Sequence, residues 1–158
     1  MVRRRDLLKA APALGLIPLL ANAQATAAAE SPLIYLSPVK SDGNLSRCQA
    51  EIWFVGDGDD FCVVTANDAW RAEAIGQGLT QAKVWVGDVG QWQSSRGKYK
   101  DLPSVMTTAS VVEDPVEHAR LLTTFGNKYS GEWGTWGPRF KRGLADGSRV
   151  MLRYSPTV

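Results

Sequence analysis

The chain of 158 residues is poorest in histidine and cysteine, with one of the first and two of the second. A single histidine, His118, excludes zinc sites built from several imidazoles and leaves no strong Ser-His-Asp arrangement. The cysteines, Cys48 and Cys62, do not have CxxC spacing. An oxidising compartment would permit a disulfide between them, yet the hairpin inferred below sets Cys62 opposite residue 54 and leaves Cys48 several residues further along. A disulfide and two buried thiols both remain open. No apolar run is long enough for a bilayer, which needs about 20 residues; the longest spans residues 10–21. Internal repeats, heptads and low-complexity blocks are also missing, as is a glycine-rich phosphate loop after a strand.

An excess of charge of one sign is lacking too, once the N-terminus is set apart. The first 27 residues hold four of the 18 basic and one of the 16 acidic residues, which leaves 14 against 15. The apparent net charge of +2 thus belongs to the leader, and nothing supports a nucleic-acid partner. That leader has a basic start, Arg3-Arg4-Arg5-Asp6-Leu7-Leu8-Lys9, then the apolar run, then A-x-A patterns ending at Ala23 and Ala27. It resembles a twin-arginine signal peptide, cleaved after Ala23 or Ala27, which implies delivery by the twin-arginine translocase in a folded state. The expected mature chain, residues 28–158, is one domain of periplasmic or secreted location, with no membrane anchor. Folded export also favours a cofactor loaded before translocation.

What the sequence does have is a series of short strand patterns divided by turn residues. Residues 33–36 are apolar and stop at Ser37-Pro38. Residues 48–55 read as one strand, and Gly56-Asp57-Gly58-Asp59-Asp60 turns it back into residues 61–65. The aspartates of that turn lack the length and distal glutamate of a calcium loop. Asp68 caps an expected helix over 69–77, with Gly78 as its stop. Residues 83–89 alternate, Val84 and Val86 on one face and Lys83 and Trp85 on the other. Residues 91–103 look polar and mobile, and 105–113 form another strand. Asp114-Pro115-Val116-Glu117 is a well-formed helix start, with Val116, Ala119, Leu122 and Phe125 as the expected buried face and His118 outside or half-buried. A Gly- and Trp-rich loop is expected over 131–138, a solvated turn over 139–142, and a last strand over 148–154. The sum is a mainly β, α+β chain: a small antiparallel split β-barrel of about six strands with two flanking helices.

Four stretches resemble the flavin-binding split-barrel group of pyridoxamine 5'-phosphate oxidases and deazaflavin-dependent reductases. They are Glu51-Ile52-Trp53-Phe54-Val55, Val64-Thr65-Ala66-Asn67-Asp68-Ala69-Trp70-Arg71, Val111 to Arg120 with its D-P-x-E-H helix start, and the closing strand before Pro156. The resemblance implies an FMN or deazaflavin cofactor, an oxidoreductase activity and a homodimer that completes the site. By position it puts the flavin phosphate at Thr65 and Arg71, with Asn67 and Trp70 nearby and Trp53 beside the ring system. The group's helix usually carries a second basic residue, and this chain has only Arg71. Trp133, Trp136 and Arg139 are the candidates for contact with substrate or a second subunit, since loop tryptophans stack on flat rings or plug a small barrel. No general acid or base stands out, so the catalytic residue is left open. A non-catalytic periplasmic ligand-binding barrel of the same fold is the alternative function, and a tryptophan-lined carbohydrate-binding barrel is a third.

Overall fold

A computed structural model describes residues 30–47 and 49–157; the leader read in residues 1–27 and Cys48 lie outside them. Seven strands form one antiparallel sheet: β1 (Ile34–Pro38), β2 (Ala50–Ile52), β3 (Val55–Asp57), β4 (Asp60–Ala66), β5 (Gln81–Val86), β6 (Ser104–Val112) and β7 (Arg149–Pro156). The spatial order is β2-β1-β5-β6-β7-β4-β3. Helices α1 (Trp70–Gly76), α2 (Pro115–Lys128) and α3 (Trp133–Asp146) flank it, and a 3-10 turn covers Lys98–Asp101. The chain is a curled half-barrel of the split-barrel type, mainly β with α-helical cover.

The strand expected over 48–55 is two strands, one on each rim of the sheet. Ile52 pairs with Ile34 of β1, whereas Val55 pairs with Cys62 of β4. Only Trp53 and Phe54 separate them, so the sheet curls until its two rims meet at that point. Alternation continues through the corner. Ile52 and Phe54 face the barrel interior, while Trp53 and Val55 face the outer layer. Both faces are covered, which is why residues 52–55 form an unbroken apolar run. The hairpin turn is where the sequence puts it, with Gly58 at φ +63° and Asp57 opposite Asp60. Cys62 lies one position from its expected partner, opposite Val55. It is a buried free thiol, pushed up to about 12 by desolvation and therefore unreactive.

Three layers of apolar contact follow. The barrel interior holds Ile34, Leu36, Phe54, Phe61, Val63, Val84, Leu152 and Tyr154, with Ala72 and Ile75 of α1 packed on its end. The outer layer packs Val55, Cys62, Val64 and Met151 under Leu121, Leu122, Phe125 and Tyr129 of the α2 region and Phe140 of α3. A third cluster, Tyr35, Trp85 and Tyr99, corrects the expectation that residues 91–103 are mobile. The 3-10 turn drives Tyr99 against both rings at 5.3 Å, and Tyr35 fixes the same loop by donating to the Gly90 carbonyl and accepting from the Val89 amide.

The helices depart from expectation in three ways. Ala69 rather than Asp68 caps α1, without a side-chain bond, although Gly78 ends it at φ +80° as expected. Asp114 does cap α2 through the Val116 amide, but Glu117 is taken by Arg120 and Arg153 instead of folding back on the cap. The buried face of α2 is Leu121, Leu122 and Phe125; Val116 is 76% exposed and Ala119 is exposed as well. Finally, residues 133–138 of the expected loop and the expected turn 139–142 are all part of α3. Its glycines and Pro138 disfavour helix, and packing overrides them. A Cβ at Gly126 or Gly137 would lie 2.8 or 2.7 Å from the Trp133 indole, so this ring needs both glycines to seat itself between α2 and α3.

Arg120 and Arg153 bind a trio of carboxylates, Asp57, Asp60 and Glu117, that ties the hairpin turn to β7 and α2. The Arg120 guanidinium first, then Arg153, holds the Asp57 carboxyl down at about 2. A folded-state value below the unfolded one means this stabilisation is complete above about pH 4 and fades as pH falls toward 2. With the Asp57 side chain 23% and the Arg120 side chain 53% exposed, solvent screening limits it to about 0.5–1 kcal/mol. Urea titrations from pH 5 to 2.5 should show that loss, and Arg120→Ala should flatten the slope. An unchanged slope in the variant would remove Asp57 as its source.

Candidate functional site

β4 alternates so that Phe61, Val63 and Thr65 point into the barrel. Thr65 is 3% exposed and lies at the end where α1 packs over the opening. From α1 the half-buried Arg71 guanidinium donates to the Thr65 hydroxyl. No carboxylate pairs with Arg71 among the described residues. The structure thus brings two of the sequence candidates into direct contact.

Two further polar groups are buried without partners, one in the barrel interior four residues along the ladder from Thr65 and one on α1. Tyr154 of β7, only 1% exposed, points into the interior beside Phe61, and its hydroxyl has no hydrogen-bond partner. Burial pushes its phenol well up, offset in part by the positive charge of Arg71. The indole N–H of Trp70 is likewise buried and without a partner. Asn67 has its side chain in solvent and secures the β4–β7 corner through its amide, which donates to the Ser148 carbonyl at 3.0 Å. Tyr154 was missed by sequence reasoning. The signal was present in the inward parity it shares with Val150 and Leu152.

The other candidates lie elsewhere. Trp53 is on the opposite face of the sheet from Thr65. It stacks on Tyr129 at 4.3 Å and 4° and meets Trp136 edge-on at 6.1 Å. Arg139 covers the Trp136 ring at 5.1 Å. Within one protomer, then, Trp53, Trp136 and Arg139 form one outer cluster, separate from Thr65 and Arg71. Trp133 is a wedge between helices, packed on Phe125 and Phe140. It also lines a groove of about 860 Å³ between α2 and α3, with Glu113, His118, Leu122 and Lys141. His118 is half-buried, its Nε2 2.6 Å from the Val112 carbonyl. Another residue missed is Lys128. Its ammonium sits 3.5 Å over Phe54, and burial lowers it to about 8.

A curled seven-stranded sheet with a helix over one end defines the split-barrel class. Solved structures bear this out. The heme storage protein HutZ from Vibrio cholerae matches at TM-score 0.55 and 15% identity over 92% of both chains. A Listeria innocua protein assigned provisionally as a pyridoxamine 5'-phosphate oxidase matches at TM-score 0.59 and 15% identity, over 88% of this chain and 94% of that one. A Clostridium acetobutylicum protein related to general stress protein 26, of the pyridoxinephosphate oxidase family, matches at 0.57 and 11%, over 87% and 84%. No protein-family profile matches the chain, and no curated protein matches it in sequence. At these identities the likeness shows the fold, that of the pyridoxamine 5'-phosphate oxidase-like split barrels.

Set against a flavin phosphate, the groups at the barrel end fit. A buried hydroxyl and a guanidinium without a carboxylate partner among the described residues are what an anion requires, and the unpartnered Trp70 indole N–H belongs to the same helix. The outer cluster does not join them, because Trp53 lies on the opposite face of the sheet.

Proposed function

We propose that the chain is an exported split-barrel oxidoreductase that holds FMN or a deazaflavin by its phosphate at Thr65 and Arg71. The observation that carries this reading is the Arg71–Thr65 contact at the barrel end, made by a half-buried cation with no carboxylate partner among the described residues. A dianionic phosphate monoester supplies that charge and accepts from both groups. Asn67 and Trp70 flank the position. When bound, such a cofactor supplies hydride chemistry, and the protein's part is to bind it, orient it and keep water from it. Trp53, Trp136 and Arg139 serve the reading only across a homodimer, where a second protomer's outer cluster completes the site and offers the substrate contact. The twin-arginine leader supports export of the folded, loaded protein to the periplasm.

The Vibrio likeness, which spans nearly all of both chains, favours a second reading: a non-catalytic barrel that binds a ligand, heme among the candidates. One spectrum separates the two. The mature protein from a native-like host should carry a flavin band that survives dialysis. Arg71→Ala should weaken FMN binding about 10- to 100-fold, the worth of one charged hydrogen-bond donor. A Soret band in place of the flavin band supports the second reading. A colourless protein that FMN and deazaflavin fail to reconstitute sinks the first.

A further inference from the structure

The last turn of α2 sets an amine against an aromatic face. Lys128 is half-buried, with its Nζ 3.5 Å from the centre of the Phe54 ring and 5.5 Å from that of Tyr129. Phe54 is itself fully buried, in the corner between β2 and β3. An ammonium has three N–H groups to satisfy. A ring face is a weak acceptor, and it keeps water from that side. No carboxylate pairs with Lys128 among the described residues, and Tyr129 offers no charge, since burial pushes its phenol up to about 12. The ring quadrupole and the C-terminal end of the helix return part of what the cation loses. Desolvation without a counterion is the larger effect, and it lowers the ammonium to about 8.

Other lysines among the described residues differ. Lys98, Lys100 and Lys141 are exposed, and Lys40 is held by Asp42 at 3.0 Å. Lys83, also half-buried, stands further from its ring, 5.4 Å from Trp85. We propose that Lys128 is a carbonyl-reactive site, an amine that captures small aldehydes as imines. The Nζ lone pair adds to the carbonyl carbon. Both amine hydrogens then leave with the carbonyl oxygen as water, and C=N replaces C=O with no oxidant or reductant. Half-burial admits a small aldehyde, and the rings of Phe54 and Tyr129 shield the imine from hydrolysis. Phe54 packs on Phe61 at 5.8 Å, at the other end of β4 from Thr65, so this site is independent of the flavin reading.

Propionaldehyde with cyanoborohydride tests it on the folded protein. The reductant fixes each imine as a secondary amine, and peptide mapping by mass spectrometry counts it at every lysine. At about pH 7.5, Lys128 should be alkylated about tenfold faster than Lys98, Lys100 or Lys141, because far more of it is unprotonated. The ratio to Lys98 should fall as pH rises past 8, where Lys128 is already mostly neutral and exposed lysines are still losing protons. Denaturing urea should erase the difference. Lys128→Arg, which keeps a cation over the ring, should remove the fast label and leave the slower ones unchanged. Equal rates at Lys128 and the exposed lysines overturn the proposal, and so does an advantage that survives urea.

Discussion

Tyr129→Ala should cost the protein about 4 kcal/mol, a large part of what a domain of this size has to lose. Tyr129 ends α2 and is 6% exposed, with Trp53 stacked flat on one side and Phe125 at 6.0 Å. Its hydroxyl accepts from the Phe54 amide at 3.0 Å and has the Phe54 and Pro32 carbonyls within 2.8 and 2.9 Å as acceptors. Phe54 sits in the two-residue gap between β2 and β3, so the sheet ladder supplies it no partner. One phenol stands in for the missing strand. The alanine variant loses both ring packing and those bonds. Tyr129→Phe keeps most of the packing and strands a buried amide and carbonyl, for about 1–3 kcal/mol. Urea denaturation followed by tryptophan fluorescence measures both. A phenylalanine variant as stable as the parent would show that the hydroxyl does not hold the corner.

Gly137→Ala should destabilise by about 2–3 kcal/mol, against the sign that helix propensity assigns. In an exposed helix the same change gains close to 1 kcal/mol. Here the new Cβ would stand 2.7 Å from the rigid Trp133 ring, which also lies so close to Gly126 that a Cβ there would come within 2.8 Å of it. Phe125 and Phe140 pack against the indole as well. The ring has nowhere to move, and overpacking exceeds the propensity gain. Gly134, on the same helix, has open space at its Cβ position, so Gly134→Ala should stabilise by a few tenths to 1 kcal/mol. Equal effects at the two positions would mean that Trp133 is not wedged.

That wedge also explains why α3 could not be read from the sequence. Gly134, Gly137, Gly143 and Pro138 each oppose helix locally, and each glycine facing a neighbour makes sense only with that neighbour in place: Trp133 for Gly137, Arg149 for Gly143. The β2–β3 division was hidden for a different reason. Alternation runs unbroken through Trp53 and Phe54, so nothing in the pattern marks a change of partner. Tyr99 was lost in a polar stretch because one buried ring leaves no periodicity. By contrast, features with local causes were legible. Gly58 turns the hairpin, Asp114 and Pro115 open α2, and Val84 and Val86 share the inner face of β5. Thr65 and Arg71 came into view only through the family resemblance; their contact rests on the turn between β4 and α1, which brings the start of the helix back over the strand end. Tyr154 lies three strands further along the chain, and only the pairing of β7 with β4 sets it opposite Phe61.

The corner at Trp53 and Phe54 has a bearing on solubility. An open sheet offers two rows of unpaired amides and carbonyls, and any extended peptide can add to them. In this chain both rims are the two ends of one covalent run, three residues each. A foreign strand arriving at either rim finds a ladder too short to hold it and reaches the opposite rim almost at once. The sheet is guarded against accretion by its own continuity, with no need for charged or proline-capped edge strands.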